Sequence, residues 1–244
     1  MKRSGFDALI VEGRSSRPVF ISIINGEVGF HDASELWGLK TKETQEMIRD
    51  YLGQSKISLA MIGPGGENRV RYACIMHGPY DAAGRSGLGA VMGSKQLKAI
   101  AVKGTKVQPV FDPDGVKALQ QWLKDNRQKV AGLSELGTTP SIPRYEKIGN
   151  LPVNNWRDFS FPTVDKISAQ AVRDTIRIGM EACFACFVRC KKKVQTERVD
   201  SAYGGPEMET LAALGSNCGI DDLEAIAKGS ELCNAYSLDT ISTG

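Results

Sequence analysis

Short apolar, β-branched runs alternate with polar and glycine-rich breaks along residues 1–105. FDALIVEG (6–13), PVFISIING (18–26), KISLAMIG (56–63) and LKAIAVKG (97–104) are bounded by Gly, Ser and Pro and predict strands. Residues 14–18 predict a hairpin connection between the first two, and Asn25-Gly26 a further turn. One helix is expected among them. TKETQEMIRDYLG (41–53) sets Met47, Ile48, Tyr51 and Leu52 on one face, with Thr41 as N-cap and Gly53 just past the end. The pattern changes at KVQPVFDPDG (106–115), which reads as a linker. Asp112 before Pro113 predicts a helix start, and Val116, Leu119, Trp122 and Leu123 follow at helical spacing. Residues 132–165 predict irregular chain. Helical patterns return at 168–180, at about 206–216 and at 222–236, the last with Asp221 and Glu224 at capping-box spacing. The expected fold class is α+β: a β-rich region over 1–105, then a mainly helical region over 106–244. There is no internal repeat and no low-complexity segment.

Composition narrows the picture little. The chain has 244 residues, 41% hydrophobic and 24% charged, as in ordinary globular proteins. A net charge of +3 is too small to argue for nucleic acid. No stretch approaches the ~18 consecutive apolar residues of a membrane helix, and the start lacks a signal-peptide core. The expected compartment is the cytoplasm, where disulfides are rare and clustered cysteines read as metal ligands or redox groups. Both ends read as cuts through a larger fold.

EACFACFVRCKKK (181–193) concentrates chemistry. Cys183, Cys186 and Cys190 form a C-x2-C-x3-C run, which brings three thiols near one point if a turn here leads into a helix. A [4Fe–4S] cluster takes four thiolates, and zinc takes four ligands. Three unliganded thiols near a helix start is the bland alternative. The order C-x3-C-x2-C of radical-SAM enzymes is the reverse of this one. Cys74 reads as core, and Cys218 and Cys233 as buried small hydrophobes. Arg189 and Lys191–193 would stabilise an anionic cluster, although a lysine run is commonly a solvated face.

Residues 62–104 concentrate glycine between apolar runs. Glycine lets a backbone approach a ligand or turn tightly, and Arg85 is suited to phosphate. The G-x-G-x-x-G and P-loop orders are both absent.

Five segments occur in one order: GPGGENRVRYACIM, AAGRSGLGAVMGSKQLKAIAVKG, CFACFVRC, GGPEMETLAALGSNCGI and CNAYSLDTIS. Together they closely resemble the tungsten-dependent aldehyde:ferredoxin oxidoreductase family over nearly the whole chain. The resemblance implies part of an N-terminal β domain that cradles a bis-pterin tungsten (or molybdenum) cofactor, then most of a helical second domain. It implies that Ala82, Ala83, Gly84 and Arg85 hold the pterin phosphates and their bridging magnesium. It also implies that Cys183, Cys186 and Cys190 bind a [4Fe–4S] cluster. The acidic residue near the metal maps to Glu209, with Glu207 second. A D-x-x-G-L pterin motif aligns with residues 234–238, contributing Asn234 and Leu238. This chain departs from the family at Asp81, where many members have Arg, and at Asn234 and Ser237, where the motif has Asp and Gly. The family's fourth cluster cysteine, second pterin motif and catalytic histidine lie beyond this span, as does an N-terminal cofactor contact. His31 and His77 match neither role and read as structural.

The implied activity is oxidation of an aldehyde to the carboxylic acid, with electrons passing to ferredoxin or another electron-transfer protein. Alternatives are a non-catalytic truncated chain, a cluster-carrying subunit, a zinc-binding helical domain, and an aromatic acyl-CoA reductase of the same family. A complementary chain or a second copy is an expected partner; nucleic acid and membrane are not.

Overall fold

The computed structural model of the protein describes residues 1–244. The chain forms two compact units: residues 1–107 with 229–244, and residues 108–228. Residues 229–244, read from the sequence with the helical part, group with the sheet.

The first unit is built on a six-stranded mixed sheet. Its strands are β1 (Val19–Ile24), β2 (Glu27–Asp32), β3 (Ser58–Met61), β4 (Ile75–His77), β5 (Asp81–Ala83) and β6 (Leu97–Lys103), in the order β2-β1-β6-β3-β4-β5. Asn25 (φ 52°) and Gly26 (φ 100°) make the expected tight turn, which joins β1 to β2. Residues 6–13, expected as a strand, lie outside the sheet. They form no ladder with any strand; Phe6, Leu9 and Ile10 are exposed, and Val11 packs against the core. One face buries Phe20, Leu59, Met61, Cys74, Met76, Ala99 and Ala101 with Ile48 of α1 (Thr41–Leu52). Helix α1 ends at Gly53 in the left-handed region, as its sequence predicts. Lys40 is its N-cap, not Thr41, whose buried Oγ1 donates to Asn234 O at 3.0 Å. Ile48 and Leu52 face the core, while Met47 and Tyr51 turn outward. Two short helices, α2 (Pro64–Glu67) and α3 (Leu88–Ser94), precede and follow the β4–β5 hairpin.

The second unit holds α4 (Pro113–Asp125), α5 (Ala131–Leu136), α6 (Ile142–Lys147), α7 (Ala169–Thr175), strands β7 (Arg177–Glu181) and β8 (Lys191–Val194), and α8 (Met208–Leu214). Its core gathers Ile142, Leu151, Val153, Phe161, Ile167, Val172, Leu211 and Ile226. Asp112 caps α4 as expected, accepting from Gly115 N at 2.8 Å. Residues 132–165 contain α5 and α6 as well as irregular chain. The helix expected over 168–180 stops at Thr175, and the chain turns into β7. Helix α9 (Leu223–Tyr236) is capped by Asp222, which accepts from Glu224 N at 3.0 Å; Asp221 pairs instead with Lys166 at 2.9 Å. The short α10 (Thr240–Thr243) closes the described chain. No helix is long and apolar enough to cross a membrane.

Candidate functional site

In the first unit, the β5 edge and the turn after it carry Ala82, Ala83, Gly84 and Arg85. Ala82 and Ala83 are exposed on the sheet's outer strand, with small side chains that leave the backbone accessible, and Arg85 is exposed in the turn that follows. Ser86 (φ 86°) and Gly87 (φ 71°) then turn the chain into α3. The glycines beyond serve packing. A Cβ on Gly93 would lie 1.9 Å from Gly66 O, and one on Gly89 would lie 2.4 Å from Cys74 O. The glycine density read as ligand approach or tight turns is chiefly backbone packed on backbone.

Residues 234–239 lie against the same region. Leu238 bridges Ala73, Leu238 N donates to Cys233 O at 2.8 Å, and Cys74 N donates to Ser237 O at 2.9 Å. Ser237 is fully buried at φ 59°, and its Oγ accepts from Gly63 N at 2.8 Å. A left-handed residue is required here, which accounts for the motif's preference for glycine. Asp239 is the residue that sequence reasoning missed. It is buried, accepts from Ser242 N at 3.1 Å, and lies 4.0 Å from Arg85 Nε. The helix-cap pattern Asp-x-x-Ser over 239–242 was the available signal. Asp239, the neighbour of Leu238, is thus the residue of this segment that reaches Arg85, while Asn234 O accepts from Thr41. Burial first, and then Asp239, push the Cys74 thiol up to about 12. Burial raises Cys233 too, with Asp239 adding and Thr243 opposing. Both remain protonated, inert core thiols.

In the second unit, β7 and β8 pair antiparallel with Glu181 opposite Lys191. The three cysteines occupy the loop between them, so the expected turn into a helix is instead the tip of a β-hairpin. Cys186 N donates to Cys183 O at 3.0 Å, Ala185 and Arg189 are both left-handed at φ 56°, and Arg189 Nη2 donates to Met180 O at 3.1 Å. Cys183 is exposed, Cys186 and Cys190 are half-buried, and none is in a disulfide. Cys218, expected to be buried, is exposed, with Sγ 3.3 Å from Ala213 O.

The lysine run is not simply a solvated face. Lys192 is buried on β8, and its Nζ donates to Glu207 Oε2 at 2.8 Å. Thr138 Oγ1 donates to the same oxygen at 2.5 Å and accepts from Met208 N at 3.1 Å. Burial first, then Glu207, Cys183 and Cys186, raise the Cys190 thiol. Glu207 therefore stands at the foot of the cysteine loop, whereas Glu209 is exposed on α8. No three His, Cys, Asp or Glu side chains converge closely enough to hold a metal ion. The donor type still suits an iron–sulfur cluster: three unpaired soft thiols on one short loop. Metal sites are commonly assembled by the metal itself, since ligands lose protons and draw together on binding.

Residues 1–104 match the family description "Aldehyde ferredoxin oxidoreductase, N-terminal domain", and residues 114–244 match "Aldehyde ferredoxin oxidoreductase, domains 2 & 3". The chain is 38% identical over 248 residues to the tungsten-containing aldehyde ferredoxin oxidoreductase of Pyrococcus furiosus, covering all of this chain and 41% of the relative. The same-named protein of Thermococcus kodakarensis is 39% identical over 250 residues, with 41% of it covered. The WOR-like subunit of an aliphatic sulfonate oxidoreductase from Pyrococcus furiosus is 32% identical, with 42% covered. Among solved structures, the active-site complex BamBC of benzoyl coenzyme A reductase, in complex with 1,5-dienoyl-CoA, superposes with a TM-score of 0.79. It is 27% identical, and the match covers 98% of this chain and 38% of that one. The chain thus spans about two fifths of the length of the curated relatives it matches.

Proposed function

The chain belongs to the aldehyde ferredoxin oxidoreductase family, and on that premise we propose that it is the pterin- and cluster-binding part of a tungsten oxidoreductase. Its substrate class is the aldehyde, oxidised to the carboxylic acid with uptake of water and release of protons and electrons. The backbone of Ala82, Ala83 and Gly84 and the Arg85 guanidinium would hold the pterin phosphates and their magnesium. Asn234 and Leu238 would meet the pterin from the segment packed beside them. Cys183, Cys186 and Cys190 would ligate a [4Fe–4S] cluster, with a fourth ligand from elsewhere in the assembly. When bound, the tungsten centre (molybdenum is the alternative metal) supplies two-electron oxidation, and the cluster supplies one-electron relay toward a ferredoxin-like acceptor.

Two carboxylates have different parts in this reading. Glu209, solvent-facing on α8, would exchange a proton with a reacting group. Glu207 is committed to Lys192 and Thr138, so it holds the loop and keeps a negative charge beside Cys190.

The observation that carries the reading is the set of three unpaired thiols on the β7–β8 loop. Anaerobic reconstitution with iron and sulfide, followed by elemental analysis, tests it. Iron and the broad visible absorption of a thiolate-bound cluster should appear, and both should vanish when Cys183, Cys186 and Cys190 are all replaced by Ser. Zinc alone, or no metal, would defeat it. Iron without tungsten would leave a cluster-carrying piece. The similarity to the benzoyl coenzyme A reductase structure favours a second reading, reduction of an aromatic acyl-CoA. Turnover of an aromatic thioester but not of aldehydes by the tungsten-loaded assembly would select it.

A further inference from the structure

The end of α5 lies against the foot of the cysteine loop, and a glycine lets it come that close. Gly137 is buried just past the helix at φ 68° and ψ −147°, a conformation that is essentially glycine's alone. A Cβ there would lie 2.7 Å from Cys190 O and 2.8 Å from Lys192 Nζ. The lysine end is tied to Glu207, and Cys190 O is main chain, so neither can swing aside freely. Thr138, the next residue, donates to Glu207 Oε2, the oxygen that also accepts from Lys192 Nζ. A closed circuit thus runs from Gly137 through Thr138, Glu207 and Lys192 back to Cys190. The other strand is tied to the same helix, since Arg177 Nη1 on β7 donates to Glu135 O.

A two-stranded hairpin is marginal by itself, so its loop is ordered by what packs on its foot. The three thiols differ accordingly. Cys190 is half-buried and adjoins β8, where Lys191 pairs with Glu181. Cys183 is exposed, and it shares with Cys186 a local turn in which Cys186 N donates to Cys183 O at 3.0 Å. We propose that Gly137 is a positioning residue for Cys190. With Thr138, Glu207 and Lys192 it sets that one ligand in place before metal arrives, and Cys183 and Cys186 are the ligands that binding draws in. Fixing one of the three in advance lowers the ordering cost of capture and slows release. The inference rests on the cluster reading and adds to it a division of labour among the ligands.

Two measurements on the full chain, kept anaerobic and reduced, test it: alkylation of each thiol in the metal-free protein, and iron release to a chelator after reconstitution. Cys190 should react more slowly than Cys183. Gly137→Ala should raise the Cys190 rate by roughly tenfold or more and leave Cys183 unchanged. Gly132→Ala, on the same helix where a Cβ meets nothing within 4 Å, should change neither. Thr138→Val keeps the shape and loses the hydroxyl; it should raise the Cys190 rate alone by a smaller factor, and Thr138→Ser should restore the wild-type rate. That pair keeps the test decisive where Gly137→Ala folds poorly. Variants that free Cys190 should also release iron faster, in the same order. Equal acceleration of all three thiols would overturn the proposal, as would a Cys190 rate that neither variant changes. So would a freed Cys190 with unchanged iron release. A wild-type chain that takes up no iron would defeat the cluster reading itself, and the role of Cys190 with it; iron uptake with any of the preceding failures would defeat this inference alone.

Discussion

Lys98 and Glu67 lie fully buried in the first unit and form an ion pair. Lys98 Nζ also donates to Leu39 O at 2.8 Å, and Glu67 Oε2 accepts from Gly38 N at 2.8 Å. Both charges lose their water, and the extra hydrogen bonds are what make that tolerable. Removing one partner strands the other. Lys98→Met should cost about 3 kcal/mol, read as a lower urea midpoint. The double variant Lys98→Met with Glu67→Gln should recover part of that loss, because it removes the stranded carboxylate; a double variant less stable than Lys98→Met would show that the pair is not the cause. Gly93 makes a second prediction. A methyl group there would collide with Gly66 O, which is backbone and cannot swing aside. Gly93→Ala should therefore destabilise by several kcal/mol, at the upper end of overpacking. The test is whether it lowers stability more than Gly132→Ala, where a Cβ meets nothing within 4 Å.

The β7–β8 hairpin is the element on which the metal reading depends, and Lys192 anchors it. Its side chain is almost fully buried while that of Glu207 is 36% exposed, so solvent screens the pair from one side. Glu207→Ala should cost about 1–2 kcal/mol, and Glu207→Gln, which keeps an acceptor, should cost less. Amide exchange should localise the effect to residues 177–194; uniform loss of protection across the second unit would refute the local anchor. The sequence shows the thiol spacing here but not the hairpin. KKKV lacks the apolar alternation that marks a half-buried strand, and RIGME, whose Ile178 and Met180 do alternate, runs on directly from a helical pattern. A lysine run reads as solvent-facing until its partner, fifteen residues on, is in view. Local signals worked elsewhere. Asn25-Gly26, the Asp112-Pro113 helix start and Gly53 each do in the structure what their chemistry predicts, because a turn or cap needs no distant residue. The burial of Ser237 beside Gly63, and of Asp239 beside Arg85, spans well over a hundred residues and carries no local mark.

Across the whole molecule, the ionisable groups split by unit and by pH limb. Asp158, Asp174 and Asp221 in the second unit, and Asp32 in the first, are held below their ordinary range, by Arg157, Arg173, Lys166 and Ser34 respectively. The unfolded chain binds protons at these sites before the folded chain does. Stability present above the unfolded value of 3.8 is therefore lost as pH falls through the lower folded values, and salt should blunt the loss because all four sites are solvent-screened. The alkaline limb is led by the first unit, with Cys190 of the second raised by burial in the same sense. Cys74 is raised from 9.0 to about 12 by burial and Asp239, so the unfolded thiol gives up its proton first. Stability should be intact below 9.0 and decline as pH rises toward 12, by up to about 4 kcal/mol. Cys233 is raised for the same leading reason and acts in the same sense. Trp37 packs against the first unit's core, while Trp122 and Trp156 are exposed in the second, so Trp37 fluorescence reports chiefly on the sheet. Urea midpoints followed by Trp37 should fall with rising pH in the wild type, and the fall should be shallower in Cys74→Ala even though that variant starts lower. Parallel curves for the two proteins would mean that the alkaline loss arises from groups other than this buried thiol.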